Sequence, residues 1–151
     1  MDPLIVCKSV HNGNTMKVAE EMAEVLDCEV LKPEEVEDLE DYDMVGFGSG
    51  IYFTNFHEEI IDLVERLNGG KKAFIFSTSG FPNIPILHDF EGKLKEKLNA
   101  RNFKMVGSFN CRGYDEYGPL RYLGGIHNGR PNEKDLKKAR KFAEELKENG
   151  G

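Results

Sequence analysis

The sequence predicts an α/β protein built on a parallel sheet with helices on both faces. Short apolar runs alternate with longer segments whose apolar residues recur every three or four positions, which is typical of strands joined by crossover helices. The runs are mainly apolar, as expected for strands that are buried on both faces. The sequence contains no internal repeat and no low-complexity linker, so residues 1–151 are predicted to form a single domain.

Each element of this prediction rests on a local pattern. The apolar runs predict five strands, at residues 4–7, 29–31, 43–48, 72–77 and 103–111. Helical spacing of apolar side chains predicts four helices, which contain Val18, Met22, Val25 and Leu26; Ile60, Ile61, Val64 and Leu67; Leu87, Phe90, Leu94 and Leu98; and Leu136, Ala139, Phe142, Ala143 and Leu146. The second of these helices is expected to end at residues 68–70. Residues 112–131 form an irregular, Gly- and Tyr-rich segment whose length suggests a functional loop.

Composition and charge narrow the function classes. The formal net charge is −7, which argues against nucleic-acid binding because that requires basic surface. Seven acidic residues within positions 34–43 are interpreted as a solvated face, with steering of a basic partner protein as the alternative. No apolar run could span a bilayer and the first residues lack a signal-peptide pattern, so a cytoplasmic protein is expected.

The cysteines and histidines do not predict a metal site. Cys7, Cys28 and Cys111 lack metal-like spacing and are expected to be buried or half-buried free thiols. The histidines His57, His88 and His127 are scattered, and cap or surface roles are expected for them.

The first candidate site is the segment Ser9-Val10-His11-Asn12-Gly13-Asn14-Thr15, which follows the first predicted strand and leads into a helix. Unpaired N–H groups and the helix dipole make such a position favourable for an anion. Gly13 allows the backbone to turn so that successive amides form a concave nest, and the polar side chains add donors. The alternative is a plain turn with Thr15 near the helix cap.

Two further loops carry aromatic residues beside small ones. They are Ser49-Gly50-Ile51-Tyr52-Phe53, after the third predicted strand, and Thr78-Ser79-Gly80-Phe81, after the fourth. Ligands of open parallel sheets bind beyond the carboxyl ends of the strands, where all three loops are expected to meet. Gly-rich backbone can approach a flat ligand closely, and an aromatic ring can stack on it. Together the loops predict a site for a planar heterocycle with a phosphorylated tail.

These residues make the chain resemble the flavodoxin family. The resemblance rests on residues 9–19, on Gly48-Ser49-Gly50-Ile51-Tyr52 and on Ser77-Thr78-Ser79-Gly80, and it extends in order over nearly the whole chain. It implies a three-layer sandwich in which five parallel strands follow the order 2-1-3-4-5, with FMN bound noncovalently where the strand order reverses. The first loop departs from the family pattern by one additional residue after Ser9 and by Asn12 in place of the usual Thr.

The resemblance also implies roles for individual residues. The phosphate would be held by the side chains of Ser9, Asn12, Asn14 and Thr15 and by the backbone of His11 and Gly13, with Val10 between them. Tyr52 would stack on the ring, and the ring would also be lined by Ser49, Gly50, Ile51, Phe53, Thr78, Ser79, Gly80 and Phe81. Tyr114 and Tyr117 are further candidates for stacking. A main-chain carbonyl at a turn near Ser49 and Gly50 is expected to turn toward flavin N5 on reduction.

A flavodoxin would be a low-potential carrier of single electrons between redox partner proteins, and the chain is expected to be a monomer that docks basic partners. No catalytic residue is then predicted. The alternative is an FMN-dependent oxidoreductase of the same fold, either an NAD(P)H-dependent quinone or flavin reductase or a protoporphyrinogen-type oxidase. A flavin-free regulatory domain is a third class, which the many phosphate-loop donors disfavour.

Overall fold

The computed structural model describes residues 1–9, 14–52, 55–79, 92–112 and 132–150. Its strands are β1 (Pro3–Lys8), β2 (Val30–Leu31), β3 (Met44–Tyr52), β4 (Asn55–Phe56), β5 (Lys72–Ser79) and β6 (Lys104–Arg112). The α-helices within the described residues are α1 (Asn14–Leu26), α2 (Glu58–Arg66), α3 (Gly92–Ala100) and α4 (Glu133–Gly150). A short 3-10 helix at Pro33–Glu35 follows β2.

The sheet confirms the predicted fold and adds one short strand to it. Five strands run parallel in the order β2-β1-β3-β5-β6, which is the order 2-1-3-4-5 when β4 is left out of the count. Strand β4 pairs antiparallel with the end of β3 and forms a hairpin that the sequence analysis did not predict. Because the chain leaves β1 for β2 on one side and returns to β3 on the other, the strand order reverses between β1 and β3.

Helices cover both faces of the sheet, as predicted. On one face, side chains of α2 and α3 such as Ile60 and Leu94 are buried against Phe47 and Ile75 of the sheet. On the other face, α1 and α4 pack side chains such as Met22 and Ala143 against β1 and β5. Val36 and Leu39 are buried while the acidic residues around them are exposed, which agrees with the interpretation of residues 34–43 as a solvated face.

The centre of the sheet contains a close contact between glycines and aromatic rings. An ideal Cβ built on Gly48 would lie 2.1 Å from the ring of Phe76, and one built on Gly46 would lie 2.2 Å from the ring of Phe74. Both rings are fully buried and lie with their centroids 6.2 Å apart. The rings therefore occupy the space that side chains at the two β3 glycines would fill.

The end of α2, its cap and the two described cysteines agree closely with the local predictions. Helix α2 ends at Arg66, slightly earlier than predicted, and His57 caps its first turn by accepting a hydrogen bond at Nδ1 from the amide of Glu59 at 3.1 Å. Cys7 is a buried free thiol and Cys28 a half-buried one, as expected. Leu87, Phe90, His88 and His127, together with the side chain of Cys111, lie outside the described residues.

The described residues contain neither a membrane-spanning helix nor a metal-binding cluster. None of their helices combines the length and the apolar composition that crossing a bilayer requires. Nor do they bring three or more His, Cys, Asp or Glu side chains together as a group that could hold a metal ion.

Candidate functional site

The candidate site lies at the carboxyl ends of β1, β3 and β5. Lys8 of β1 pairs with Ser49 of β3, and Ser49 pairs in turn with Ser77 of β5. One residue further along, Gly50 of β3 pairs with Thr78 of β5. The sheet therefore brings the segments after the first, third and fourth parallel strands to one edge, at the point where the strand order reverses.

The N-terminus of α1 forms one side of this site. The first turn of α1, which the structure describes from Asn14 onward, contains no acidic side chain. The hydroxyl of Ser9 accepts a long hydrogen bond from the amide of Met16 at 3.4 Å, so Ser9 lies against the first turn. Thr15 is the second residue of α1 as the structure describes it, near the start of the helix. Residues 10–13 lie outside the described part of the chain.

A hydrogen bond between two buried threonines connects the helix to the sheet. Thr15 is 2% exposed and Thr78 is 5% exposed, and their Oγ1 atoms are 2.7 Å apart. The two residues are separated by 63 positions in sequence. The bond therefore joins the segment after β1 directly to the end of β5.

The hydroxyl of Ser49 holds the base of the β3–β4 hairpin. Ser49 is fully buried, its Oγ donates to the carbonyl of Gly50 at 2.7 Å, and it accepts from the amide of His57 at 3.1 Å. The hydroxyl is thus bonded to the backbone on both sides of the hairpin, one residue before Ile51 and one residue after Phe56.

This geometry corrects the expectation of a turn at Ser49 and Gly50. Both residues lie within β3, because Ser49 is paired with both β1 and β5 and Gly50 is paired with Thr78. Pairing on both sides has overridden the turn tendency of a Ser-Gly pair. The Gly50 carbonyl accepts the Ser49 hydroxyl in this structure, and the expectation that a main-chain carbonyl near Ser49 and Gly50 turns toward flavin N5 on reduction stays a prediction.

The remaining predicted residues are placed only in part. The backbone of Ile51 and Tyr52 ends β3 and pairs with Phe56 and Asn55, and Ser79 ends β5, but the side chains of Ile51, Tyr52 and Ser79 are not described. Nine predicted site residues lie outside the described residues, and these are Val10, His11, Asn12, Gly13, Phe53, Gly80, Phe81, Tyr114 and Tyr117.

A charge pair lies beside the site. Lys8 Nζ at the end of β1 is 2.9 Å from Glu59 Oε2 in the first turn of α2. The hydrogen bond between them raises the pKa of Lys8 above its ordinary value and lowers the pKa of Glu59 below its own. Because Glu59 neutralises this lysine, the donors that the structure describes at the sheet edge are mainly uncharged.

Sequence reasoning missed Asn110 as a polar residue next to the site, and it named Ser77 only among the residues that carry the resemblance. Asn110 of β6 donates from Nδ2 to the hydroxyl of Ser77 at 2.8 Å, and Ser77 is fully buried. The available signal was their position at the ends of two adjacent apolar strands. Their register pairing could not be deduced from the sequence, because β6 shifts by one residue against β5 between Ala73 and Phe74.

The described donors fit a phosphate ester at this edge. Hydroxyl groups of Ser9 and Thr15 stand at an acid-free helix N-terminus, where backbone amides and the helix dipole favour an anion. Phe76 and Gly48 form apolar packing directly below the strand ends. The fold is therefore that of a doubly wound α/β protein, with the candidate ligand site at the point where the strand order reverses.

Comparison with known proteins identifies the family within that class. A family model described as a flavodoxin domain matches residues 4–118, and the chain belongs to this family. Membership implies a flavin cofactor and, at the level of the family, electron transfer with redox partner proteins.

Individual relatives are similar over the full length. An uncharacterized protein of Methanocaldococcus jannaschii is 40% identical over 152 residues, which cover 99% of this chain and 100% of that protein. A flavodoxin from the domain Archaea has a TM-score of 0.68 at 18% identity, covering 99% of this chain and 98% of its own. Flavodoxin 2 from Bacillus cereus has a TM-score of 0.71 at 19% identity and covers 99% of both chains. At these identities the two solved structures support the fold alone.

Proposed function

We propose that the protein is a low-potential one-electron carrier that binds FMN noncovalently at the carboxyl edge of the sheet. The observation that carries this proposal is the buried Thr15–Thr78 hydroxyl pair at the acid-free N-terminus of α1. Buried hydroxyls at a helix N-terminus are suited to an anion, and the switch point of the sheet is where such folds bind their ligands.

The proposed contacts divide between the phosphate and the ring. Residues 9–15 would hold the phosphate, by side chains at Ser9, Asn12, Asn14 and Thr15 and by backbone elsewhere. Residues 49–53 and 78–81 would line the ring, with Tyr52, Phe81, Tyr114 or Tyr117 stacking on it. FMN would supply the one-electron redox chemistry, and the chain would hold it, orient it and keep water from part of it.

The charges around the site favour a low reduction potential. The protein carries a formal net charge of −7, and the neutral donors of the first loop add no compensating charge. Lys8 is paired with Glu59, and Glu58 beside it is exposed. Accepting an electron adds negative charge to a site with acidic surroundings, so the reduced form is poorly stabilised.

The same charges support docking to a basic partner. Exposed carboxylates lie at Glu34 to Asp41, beside the β2 edge of the sheet, and at the start of α2. Complementary charge would raise the rate of encounter with a basic redox partner and would lose its effect as salt rises. We further propose that the whole chain acts as one domain, as a monomer and in the cytoplasm. The free thiols of Cys7 and Cys28 fit a reducing compartment.

Spectroscopy and titration test the proposal. The purified protein, or the colourless protein with FMN added, should show a flavin absorption spectrum with bound-state shifts, and calorimetry should give about one FMN per chain. Absence of heat on addition of FMN would contradict the proposal. A carrier should not consume NAD(P)H with a quinone under air, whereas sustained consumption would show the reductase of the alternative instead.

A further inference from the structure

The hydroxyl pair between Thr15 and Thr78 has an unusual position for a structural hydrogen bond. Thr15 belongs to the segment proposed for the phosphate, whereas Thr78 is the penultimate residue of β5, the strand whose end is proposed to line the ring. Their Oγ1 atoms are 2.7 Å apart although β3 lies between β1, the strand that leads into α1, and β5 in the sheet order. Helix α1 therefore reaches across the sheet so that its first turn meets β5.

The number of hydroxyl hydrogens in the pair restricts the hydrogen bonds that the two threonines can donate to a third group. Each threonine hydroxyl has one hydrogen to donate and two lone pairs with which to accept. When one threonine donates to the other, a single hydrogen of the pair remains for a third group. The remaining hydrogen lies on Thr15 if Thr78 is the donor, and on Thr78 if Thr15 is the donor.

A dianion at the α1 N-terminus would select one of these two arrangements. It would attract the remaining hydrogen to Thr15, so that Thr78 donates to Thr15 and Thr15 donates to the anion. Hydrogen bonds in such a chain polarise one another, which strengthens the outer bond. Both hydroxyls are nearly completely buried, so solvent competes weakly for these hydrogens.

We propose that Thr78 is a positioning residue for the FMN phosphate, which it affects through Thr15 rather than by direct contact. This inference rests on the proposed FMN binding. Thr78 was expected to line the ring, and the inference gives it a role in distinguishing FMN from riboflavin. With the phosphate present, the hydroxyl of Thr78 is committed to Thr15 as a donor, and the ring receives no hydrogen from it.

The test compares the affinities of FMN and riboflavin in the purified full-length chain. Thr78→Val keeps the shape of the side chain and removes the hydroxyl. We expect the dissociation constant of FMN to rise about tenfold, as for loss of one bond in a charged hydrogen-bond chain, while that of riboflavin changes less than about twofold. Flavin fluorescence quenching measures both constants, and Thr78→Ser should restore the wild-type ratio.

Two comparisons exclude a merely structural role. Ser77→Ala removes an adjacent buried hydroxyl that is bonded to Asn110, and it should leave the ratio of the two constants unchanged. If Thr78 acts through Thr15, then Thr78→Val should have almost no effect on the ratio in a Thr15→Val background. Equal weakening of FMN and riboflavin by Thr78→Val, or additive effects of the two valine variants, would overturn the inference.

The remaining outcomes separate this inference from the proposed function. If the wild-type protein binds neither flavin, the proposed function fails and the inference fails with it. If it binds FMN but all Thr78 variants keep the wild-type ratio, only the inference fails. Circular dichroism of each variant monitors folding, and Thr78→Ala with the same two ligands gives the decisive ratio should Thr78→Val not fold.

Discussion

Individual side chains explain why this site holds mainly uncharged donors. The cation nearest to the first loop along the chain, Lys8, is engaged by Glu59. Thr15, Thr78 and Ser49 contribute hydroxyls that are almost completely buried. The Lys8–Glu59 and Thr15–Thr78 contacts could not be read from the sequence alone, because each joins residues from different elements. What the sequence did indicate was the polar character of the residues that follow the strands.

The Lys8–Glu59 pair gives a prediction for the pH dependence of stability. The folded pKa of Glu59 is below its unfolded value, so the pair stabilises the fold above the unfolded pKa, and this stabilisation is lost as pH falls through the folded pKa. The Glu59 side chain is 48% exposed, so Glu59→Gln should cost less than about 1 kcal/mol at pH 7. Urea unfolding should show this difference becoming smaller as pH falls below the unfolded pKa of Glu59, which is about 4.3. A difference that stays constant as pH falls from 7 until the protein unfolds would contradict the assignment.

Cys7 should be unreactive in the folded protein. Burial, with a smaller effect of Glu20, raises the pKa of its thiol to about 12, and the side chain is 1% exposed. Because the thiolate is the reactive form, alkylation of Cys7 at pH 8 should be at least about a thousandfold slower than in the unfolded chain. Peptide mass spectrometry after timed iodoacetamide treatment measures this rate. Rapid labelling of Cys7 under native conditions would show that β1 opens to solvent.

At the scale of elements, the sequence predicted which strands exist better than it predicted where they end. All five parallel strands were found, but β3 and β5 extend to Tyr52 and Ser79, beyond the predicted ends at residues 48 and 77. The small and polar residues at these positions resemble the composition of loops, yet pairing with neighbouring strands keeps them extended. The hairpin between β3 and β4 was missed for the same reason, because the sequence predicted that β3 ends at residue 48, before the hairpin begins.

The packing of β3 on β5 predicts a large cost for a small substitution. Gly48→Ala would place a methyl group within 2.1 Å of the buried Phe76 ring, which has to shift in a filled core. We expect a loss of about 1–3 kcal/mol in the free energy of unfolding, measured by urea denaturation.

A matched control is available for this substitution. A Cβ added to Gly92, the first residue of α3, meets no heavy atom of the described residues within 4 Å. Gly92→Ala should therefore change stability by no more than about 0.5 kcal/mol. Equal effects of the two alanine variants would mean that the Phe76 ring moves aside freely. Shortening that ring with Phe76→Leu should recover part of the stability lost in Gly48→Ala.

At the scale of the whole molecule, the predicted fold class and strand order are confirmed. The alternation of apolar runs with amphipathic segments was sufficient for the class, and the order came from the resemblance to flavodoxins. The site was only partly predictable. Its location follows from the sheet, whereas contacts such as Thr15–Thr78 depend on how far α1 extends across the strands.

The net charge of −7 predicts an effect of salt on cofactor binding. With FMN as the proposed cofactor, the negative charge of the protein should repel its dianionic phosphate at low ionic strength, and salt should screen this repulsion. Raising NaCl from about 10 mM to about 300 mM should therefore increase the association rate of FMN several-fold. Uncharged riboflavin is the control and should show little change in stopped-flow fluorescence. A decrease for FMN would indicate a local positive field that outweighs the overall charge.

The glycine–phenylalanine contacts in the sheet restrict which substitutions could have been accepted during the evolution of this protein. Because the ring at position 76 occupies the space next to position 48, neither residue can be exchanged freely while the other stays. A homologue with a larger residue at 48 should carry a shorter one at 76, and positions 46 and 74 should covary in the same manner. The middle of the sheet should thus have evolved by paired replacements.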